Sequence, residues 1–230
     1  MQLRAEEVRD FYAHRDGQRA ARIMARAIAP LIRRTPTHRL LGLGPVAPVL
    51  RGFDHDSIER LAIADPFGLG PFPHNESNMV ARVDARHLPF ADALFDQVLL
   101  LHLLELDARP ERILRQIWRV LAPGGDMVLL VANRAGLWTH FENTPFGHGS
   151  PFGRNQLSRL LQQSMFEVLH WQQILVAPPM RILRWLDRPL TSILPRLGGV
   201  HVVRARKSDG FTPEFVGKAA PVQRTATAIG

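Results

Sequence analysis

The feature that most constrains this chain is a pair of short, almost wholly apolar runs separated by one amphipathic segment. Phe95–Leu101 reads Phe-Asp-Gln-Val-Leu-Leu-Leu, and Asp126–Ala132 reads Asp-Met-Val-Leu-Leu-Val-Ala. Neither leaves a face for water, and each has strand length. Runs of this kind belong to strands buried on both sides, as in a parallel sheet covered by helices. Between them, Pro110–Leu121 places Ile113, Leu114, Ile117, Trp118 and Leu121 on one helical face, with proline in the first turn, where its missing N–H costs nothing. Pro123-Gly124-Gly125 then turns the chain into the second run.

The alternation extends both ways. Leu40–Gly44, Arg60–Asp65 and Met79–Asp84 read as earlier strands, and Phe166–Leu175 and Gly199–Arg206 as the last two. A helix is predicted over Ala5–Ile32, breaking near Gly17, and another over Asn155–Gln163. The pattern predicts a Rossmann-like doubly wound α/β fold: a mostly parallel seven-stranded sheet with helices on both faces and its ligand at the carboxyl ends of the strands. The length of 230 residues with 46% apolar composition suits one such domain. We read residues 1–207 as that domain, with 1–36 as a helical cap. Residues 208–230, rich in Pro, Gly, Thr and Ala, read as a loosely ordered tail.

Composition excludes some chemistry. Cysteine is absent, so there is no thiolate nucleophile, disulfide framework or cysteine-ligated zinc. No metal site is expected, since a lone His-x-x-Glu pair is too little for one. No apolar run reaches the ~20 residues that cross a bilayer, and the first residues lack the apolar core of a signal peptide. A cytoplasmic protein is expected. The net charge of +8 comes almost entirely from arginine, the only lysines being Lys207 and Lys218. The arginines are scattered, with no stripe that marks a nucleic-acid surface. Pro178–Leu194, with Met180, Ile182, Leu183, Trp185 and Leu186 among arginines, reads as a helix on the sheet edge or as a basic amphipathic contact with a membrane or partner.

Site candidates gather at the predicted strand ends. Gly42 and Gly44 follow the first strand, where glycine lets backbone approach a ligand, or simply turns the chain. Asp65 ends the second strand. It can accept from ribose hydroxyls or close a turn before Pro66. Val83-Asp84-Ala85-Arg86-His87-Leu88-Pro89-Phe90, then Phe95-Asp96 and Trp118-Arg119-Val120-Leu121-Ala122-Pro123-Gly124-Gly125, form an ordered set of landmarks. Over about Leu40–Asn133 the chain resembles the class I S-adenosylmethionine-dependent methyltransferases of the small-molecule type.

That resemblance implies S-adenosylmethionine as cofactor and a small-molecule methyl acceptor. It implies Gly42 and Gly44 beside the methionine part, Asp65 on the ribose, Asp84 on the adenine amino group, and Ala85 with an N–H toward the ring. Leu101 and His102 would border the sulfonium and the acceptor. Tyr12, the only tyrosine, would close over the cofactor or serve only in packing. His102 could take a proton from the acceptor, with Glu105 orienting it or contacting the methionine amino group, or the His-Leu-Leu-Glu spacing could serve only a local hydrogen bond. The aromatic stretch 133–152 reads as an acceptor-site lid or a packed surface loop. The chain departs from the family at the first strand, where Leu40 or Leu41 replaces the usual acid, and in the loop Pro45-Val46-Ala47-Pro48. The departure leaves open a catalytically silent binding or regulatory module; the positive charge alone motivates an RNA methyltransferase.

Overall fold

The computed structural model describes residues 4–51, 58, 60–70, 73–74, 77–78, 80–141, 144–175 and 198–208. Seven strands form the main sheet: β1 (Arg39–Leu43), β2 (Arg60–Ala64), β3 (Val80–Ala81), β4 (Phe95–Leu101), β5 (Leu121–Ala132), β6 (Phe166–Ile174) and β7 (Val200–Lys207). Their order is β3-β2-β1-β4-β5-β7-β6. The first five pair in parallel, while β7 runs antiparallel to both β5 and β6. Six strands therefore point the same way, and one reversed strand closes the sheet.

Strand residues alternate between two cores. Leu40, Ile63, Leu99, Leu101, Val128 and Leu130 pack beneath α1 (Ala5–Ala13), α2 (Arg15–Ile28) and the short α3 (Ala47–Leu50). Leu41, Leu43, Val98, Leu100, Met127 and Leu129 pack on the opposite face with α4 (Pro110–Val120) and α5 (Arg154–Gln163). Leu99, Leu100, Leu129 and Leu130 have no exposed surface at all. This is the double burial expected of runs without a polar face.

Three boundaries differ from the sequence reading. The N-terminal helix breaks at His14, which is extended at φ −77° and ψ 159°, and it ends at Ile28. Gly17 lies inside α2. A Cβ there would strike the Phe11 carbonyl oxygen, so glycine allows the end of α1 to lie against α2 rather than breaking the helix. β3 is only Val80–Ala81, because Asp84 already belongs to a turn. The Pro123-Gly124-Gly125 turn lies within the β5 run, with Gly124 at φ +68°, and the β4–β5 register is irregular there. The segment 178–194 and the tail 209–230 lie outside the described residues.

The landmark motifs hold one another. Arg119 on α4 donates to the carbonyls of Leu88 and Phe90, each at 2.7 Å, and to Asp92 at 2.6 Å. The Phe90 and Phe95 rings meet edge to face at 5.1 Å. Asp96 takes both Nε and Nη2 of Arg39, at 3.0 and 2.9 Å, and Arg39's backbone N–H as well, tying β4 to the start of β1. The Arg39 guanidinium holds the Asp96 carboxyl below the usual carboxylate range. Leu-Pro-Phe, Phe-Asp and Trp-Arg are thus one clamp that sets the turn carrying Asp84.

Candidate active site at the carboxyl ends of the strands

The register brings the ends of four strands together. Leu43 sits beside Ala64 and Leu100, and Ala64 beside Ala81. At the β1 exit Gly44 has φ +91°, a conformation that favours glycine. Its N–H donates to the Ala64 carbonyl at 2.9 Å. A Cβ on Gly44 would collide with the Leu101 carbonyl oxygen, and one on Gly42 would stand 2.5 Å from Val46 Cγ2. Val46 therefore fills the side of β1 that glycine leaves open.

Asp65 is buried, and its N–H donates to the Ala81 carbonyl at 2.9 Å. Its carboxylate accepts the N–H groups of Phe67 (2.9 Å) and Leu69 (2.8 Å), so the turn after Ala64 is built on it. Each oxygen retains a second lone pair. Asp84 is exposed and accepts from the Arg86 N–H (2.9 Å) and His87 Nδ1 (3.1 Å). The Arg86 amide and then the His87 ring lower its pKa. Ala85 beside it is buried.

The most unusual group lies at the exit of β4. His102 has no exposed surface and a left-handed φ of +51°, an uncommon backbone for a non-glycine residue that is held by its surroundings. Its Nδ1 lies 3.2 Å from Glu105 Oε1 and its Nε2 2.9 Å from the Tyr12 hydroxyl. In the neutral imidazole facing a carboxylate, Nδ1 carries the proton, Nε2 presents its lone pair, and Tyr12 donates to it. Glu105 Oε1 also accepts the Ala132 N–H at 3.3 Å. Glu105 Oε2 is buried and has no hydrogen-bond partner among the described residues. Burial, and then the Glu105 carboxylate, push the Tyr12 phenol well above its ordinary value, so it remains a donor.

Loop 133–152 packs over this chain. Asn133 is fixed by its N–H to the Gly199 carbonyl (2.9 Å) and its Nδ2 to the Gly198 carbonyl (2.6 Å). The Ser150 N–H donates to the Glu105 carbonyl at 2.7 Å. Phe146 is fully buried, its ring centroid 4.6 Å from that of His102, and Trp138 and Phe11 meet it edge-on.

The structure thus brings Tyr12, His102 and Glu105 into direct contact at the β4 end and leaves Leu101 buried beside them. Gly42, Gly44, Asp65, Asp84 and Ala85 stand at the ends of the neighbouring strands. The direct Tyr12–His102 bond has no local signal in the sequence, since the partners are ninety residues apart. The Arg119 clamp likewise joins residues far apart in the chain, Arg119 to Leu88 and Phe90.

Comparisons with known proteins agree with this architecture. The methyltransferase domain family matches residues 71–129. The uncharacterized protein YafS of Escherichia coli (strain K12) is 29% identical over 130 residues, 55% of this chain and 54% of its own length; the chain spans about half the length of this curated relative. A Thermotoga maritima S-adenosylmethionine-dependent methyltransferase, a possible histamine N-methyltransferase, superposes with a TM-score of 0.59 at 18% identity, covering 82% of this chain and 89% of that one. Burkholderia thailandensis 1,6-didemethyltoxoflavin-N1-methyltransferase, solved with 1,6-didemethyltoxoflavin and S-adenosylhomocysteine, gives a TM-score of 0.54 at 20% identity over 83% and 79% of the two chains. The chain thus shares the fold of these methyltransferases, and within it residues 71–129 match the methyltransferase domain family. Among the described residues no helix is long and apolar enough to cross a membrane.

Proposed function

We propose that this chain is a cytoplasmic S-adenosylmethionine-dependent methyltransferase acting on a small-molecule acceptor, with His102 as the group that takes the acceptor's proton. One observation carries this reading: a buried Tyr12–His102–Glu105 chain at the carboxyl edge, whose Glu105 Oε2 is a buried acceptor with no donor among the described residues. Buried polar atoms are nearly always paired, so an orphan at a ligand-binding edge points to a donor supplied by a ligand. The cofactor's methionine ammonium has the charge to fill that role. Gly44's left-handed turn, where a side chain would strike the end of β4, supports the fit.

When bound, the cofactor supplies a methyl group activated by a sulfonium. The chain's part is to bind and to position. Gly42 and Gly44 would line the methionine part with backbone. Asp65 would offer its remaining lone pairs to the ribose hydroxyls, and Asp84 would accept from the adenine amino group, with the Ala85 N–H beside the ring. Leu101 and Tyr12 would border the sulfonium, and a ring face there is favourable in the manner of a cation–π contact. Glu105 fixes the tautomer of His102, so that Nε2 is the nitrogen available to an acceptor O–H or N–H.

Titration calorimetry with S-adenosylmethionine tests the reading directly. Saturable binding is expected, and Asp84→Ala should weaken it by roughly tenfold, the worth of about one hydrogen bond to a charged group. The exposed position of Asp84 makes that variant's stability close to wild type. No heat of binding at millimolar cofactor overturns the proposal. A silent module of the same fold is the second reading, favoured by Val46 packed across Gly42 and by Pro45, which has no N–H to donate. Turnover of any acceptor would count against it.

A further inference from the structure

The side chain bonded to His102 Nε2 is itself a phenol. Tyr12 comes from α1, outside the sheet, and α1 joins α2 through the single extended residue His14. α1 joins the core through three buried residues, Val8, Phe11 and Tyr12. The two bonded rings lie among aromatic neighbours: Phe11 meets the Tyr12 ring edge-on at 5.0 Å, and Phe146 lies 4.6 Å from the His102 ring. Glu105 engages the other ring nitrogen. A neutral hydroxyl on a flat apolar body would meet at Nε2 what the Tyr12 hydroxyl already meets, a ring nitrogen lone pair among aromatic rings.

We infer that the acceptor is a phenol-type hydroxyl compound, which docks its O–H on His102 Nε2 in the place of the Tyr12 hydroxyl. Tyr12 is then an internal stand-in that guards the nitrogen and yields it as α1 shifts about His14. The inference rests on the reading of His102 as proton acceptor. It adds the acceptor's chemical class and gives Tyr12 the role of a competitor.

The test needs no cofactor. Titration calorimetry would compare p-cresol and toluene against the full-length chain, Tyr12→Phe and Tyr12→Phe/His102→Ala. Tyr12→Phe keeps the ring but removes the competing hydrogen bond. It should bind p-cresol about threefold to tenfold more tightly than wild type, the range one hydrogen bond commands. Toluene should gain nothing, and removing His102 should erase the gain. Equal or weaker p-cresol binding by Tyr12→Phe overturns the inference. So does a matching gain for toluene, since that means general loosening of the aromatic cluster. Nitrogen-15 NMR of His102 in the wild-type chain is an independent reading should Tyr12→Phe not fold: p-cresol should move Nε2 and leave Nδ1 in place, and no movement at millimolar p-cresol overturns it. Phenol binding without S-adenosylmethionine binding would uphold the docking and reject methyl transfer. The reverse would uphold methyl transfer and reject this acceptor class.

Discussion

Asp126 and Glu105 are both carboxylates buried in the same sheet, and the molecule treats them in opposite ways. Asp126, in the lower half of β5, takes Arg33 Nη2 at 2.6 Å and Arg204 Nη2 at 2.8 Å on one oxygen, and Gln97 Nε2 at 2.5 Å on the other. The same Gln97 accepts the Arg33 N–H and donates to the Leu31 carbonyl. Both Asp126 oxygens are used, and two cations offset its charge. Glu105, past the end of β4, has a histidine, one backbone amide and an oxygen with no described partner. A buried charge fully matched by neighbours fastens structure, whereas one left partly unmatched holds capacity for a ligand. The contrast separates the end of the sheet where a buried charge is matched from the end where the proposed site lies.

The largest effect is expected from Asp126→Asn, which leaves two guanidinium groups gathered around a neutral amide. Urea unfolding should show a loss of about 3 kcal/mol, and a loss below about 1 kcal/mol would remove the contrast. A satisfied group near the other edge comes next. His201 donates Nε2–H to the Phe152 carbonyl at 3.1 Å and accepts the Trp171 indole N–H at 3.3 Å. Burial above all, with a smaller push from Arg154 against the pull of the Phe152 carbonyl, lowers it to about 4. The unfolded chain, with an ordinary histidine near 6.5, takes up this proton first as the pH falls. This contribution is therefore whole above pH 6.5 and is lost progressively down to pH 4, by about 3 kcal/mol. His201→Gln should flatten that slope, and an unchanged slope would mean that another group carries it.

Glu105→Gln should behave unlike Asp126→Asn. Its unfolding free energy should change by less than about 1 kcal/mol, because removing a buried charge that, among the described residues, faces only a neutral histidine and an amide also removes its desolvation cost. If it costs as much as Asp126→Asn, Glu105 is a structural anchor and the comparison collapses. The smallest effect belongs to Arg154→Leu, which removes a cation 5.0 Å from the Trp171 ring centroid. About 0.5 kcal/mol is expected, together with an upward shift of the His201 titration and hence a shallower loss of stability in acid, as His201 loses a neighbouring positive charge.

Much of the carboxyl-edge architecture is legible in the residues themselves. Phe95–Leu101 and Asp126–Ala132 have no polar face, so their burial on both sides follows from composition. The helix from Pro110 shows its core side through Ile113, Leu114 and Ile117. Asp65 is legible only as a pair of alternatives, and its carboxylate does close the turn onto Phe67 and Leu69. The break of the first helix is less legible: Gly17 marks a close approach to Phe11, and the chain bends instead at His14. The Asp126 cluster gathers Arg33, Gln97 and Arg204 from three distant segments, and no local periodicity announces it.

The sequence alone determines the alternation of elements, the two-sided burial of the central strands and the row of glycines and acids at their ends, since each follows from periodicity or local turn chemistry. Tertiary structure decides which of those polar groups meet. Only the folding of α1 over the sheet brings the Tyr12 hydroxyl to His102, and only the approach of β5 supplies the Ala132 amide to Glu105. Hydrogen bonds act over about 3 Å regardless of chain separation, so partnership across ninety residues is settled by packing rather than by spacing.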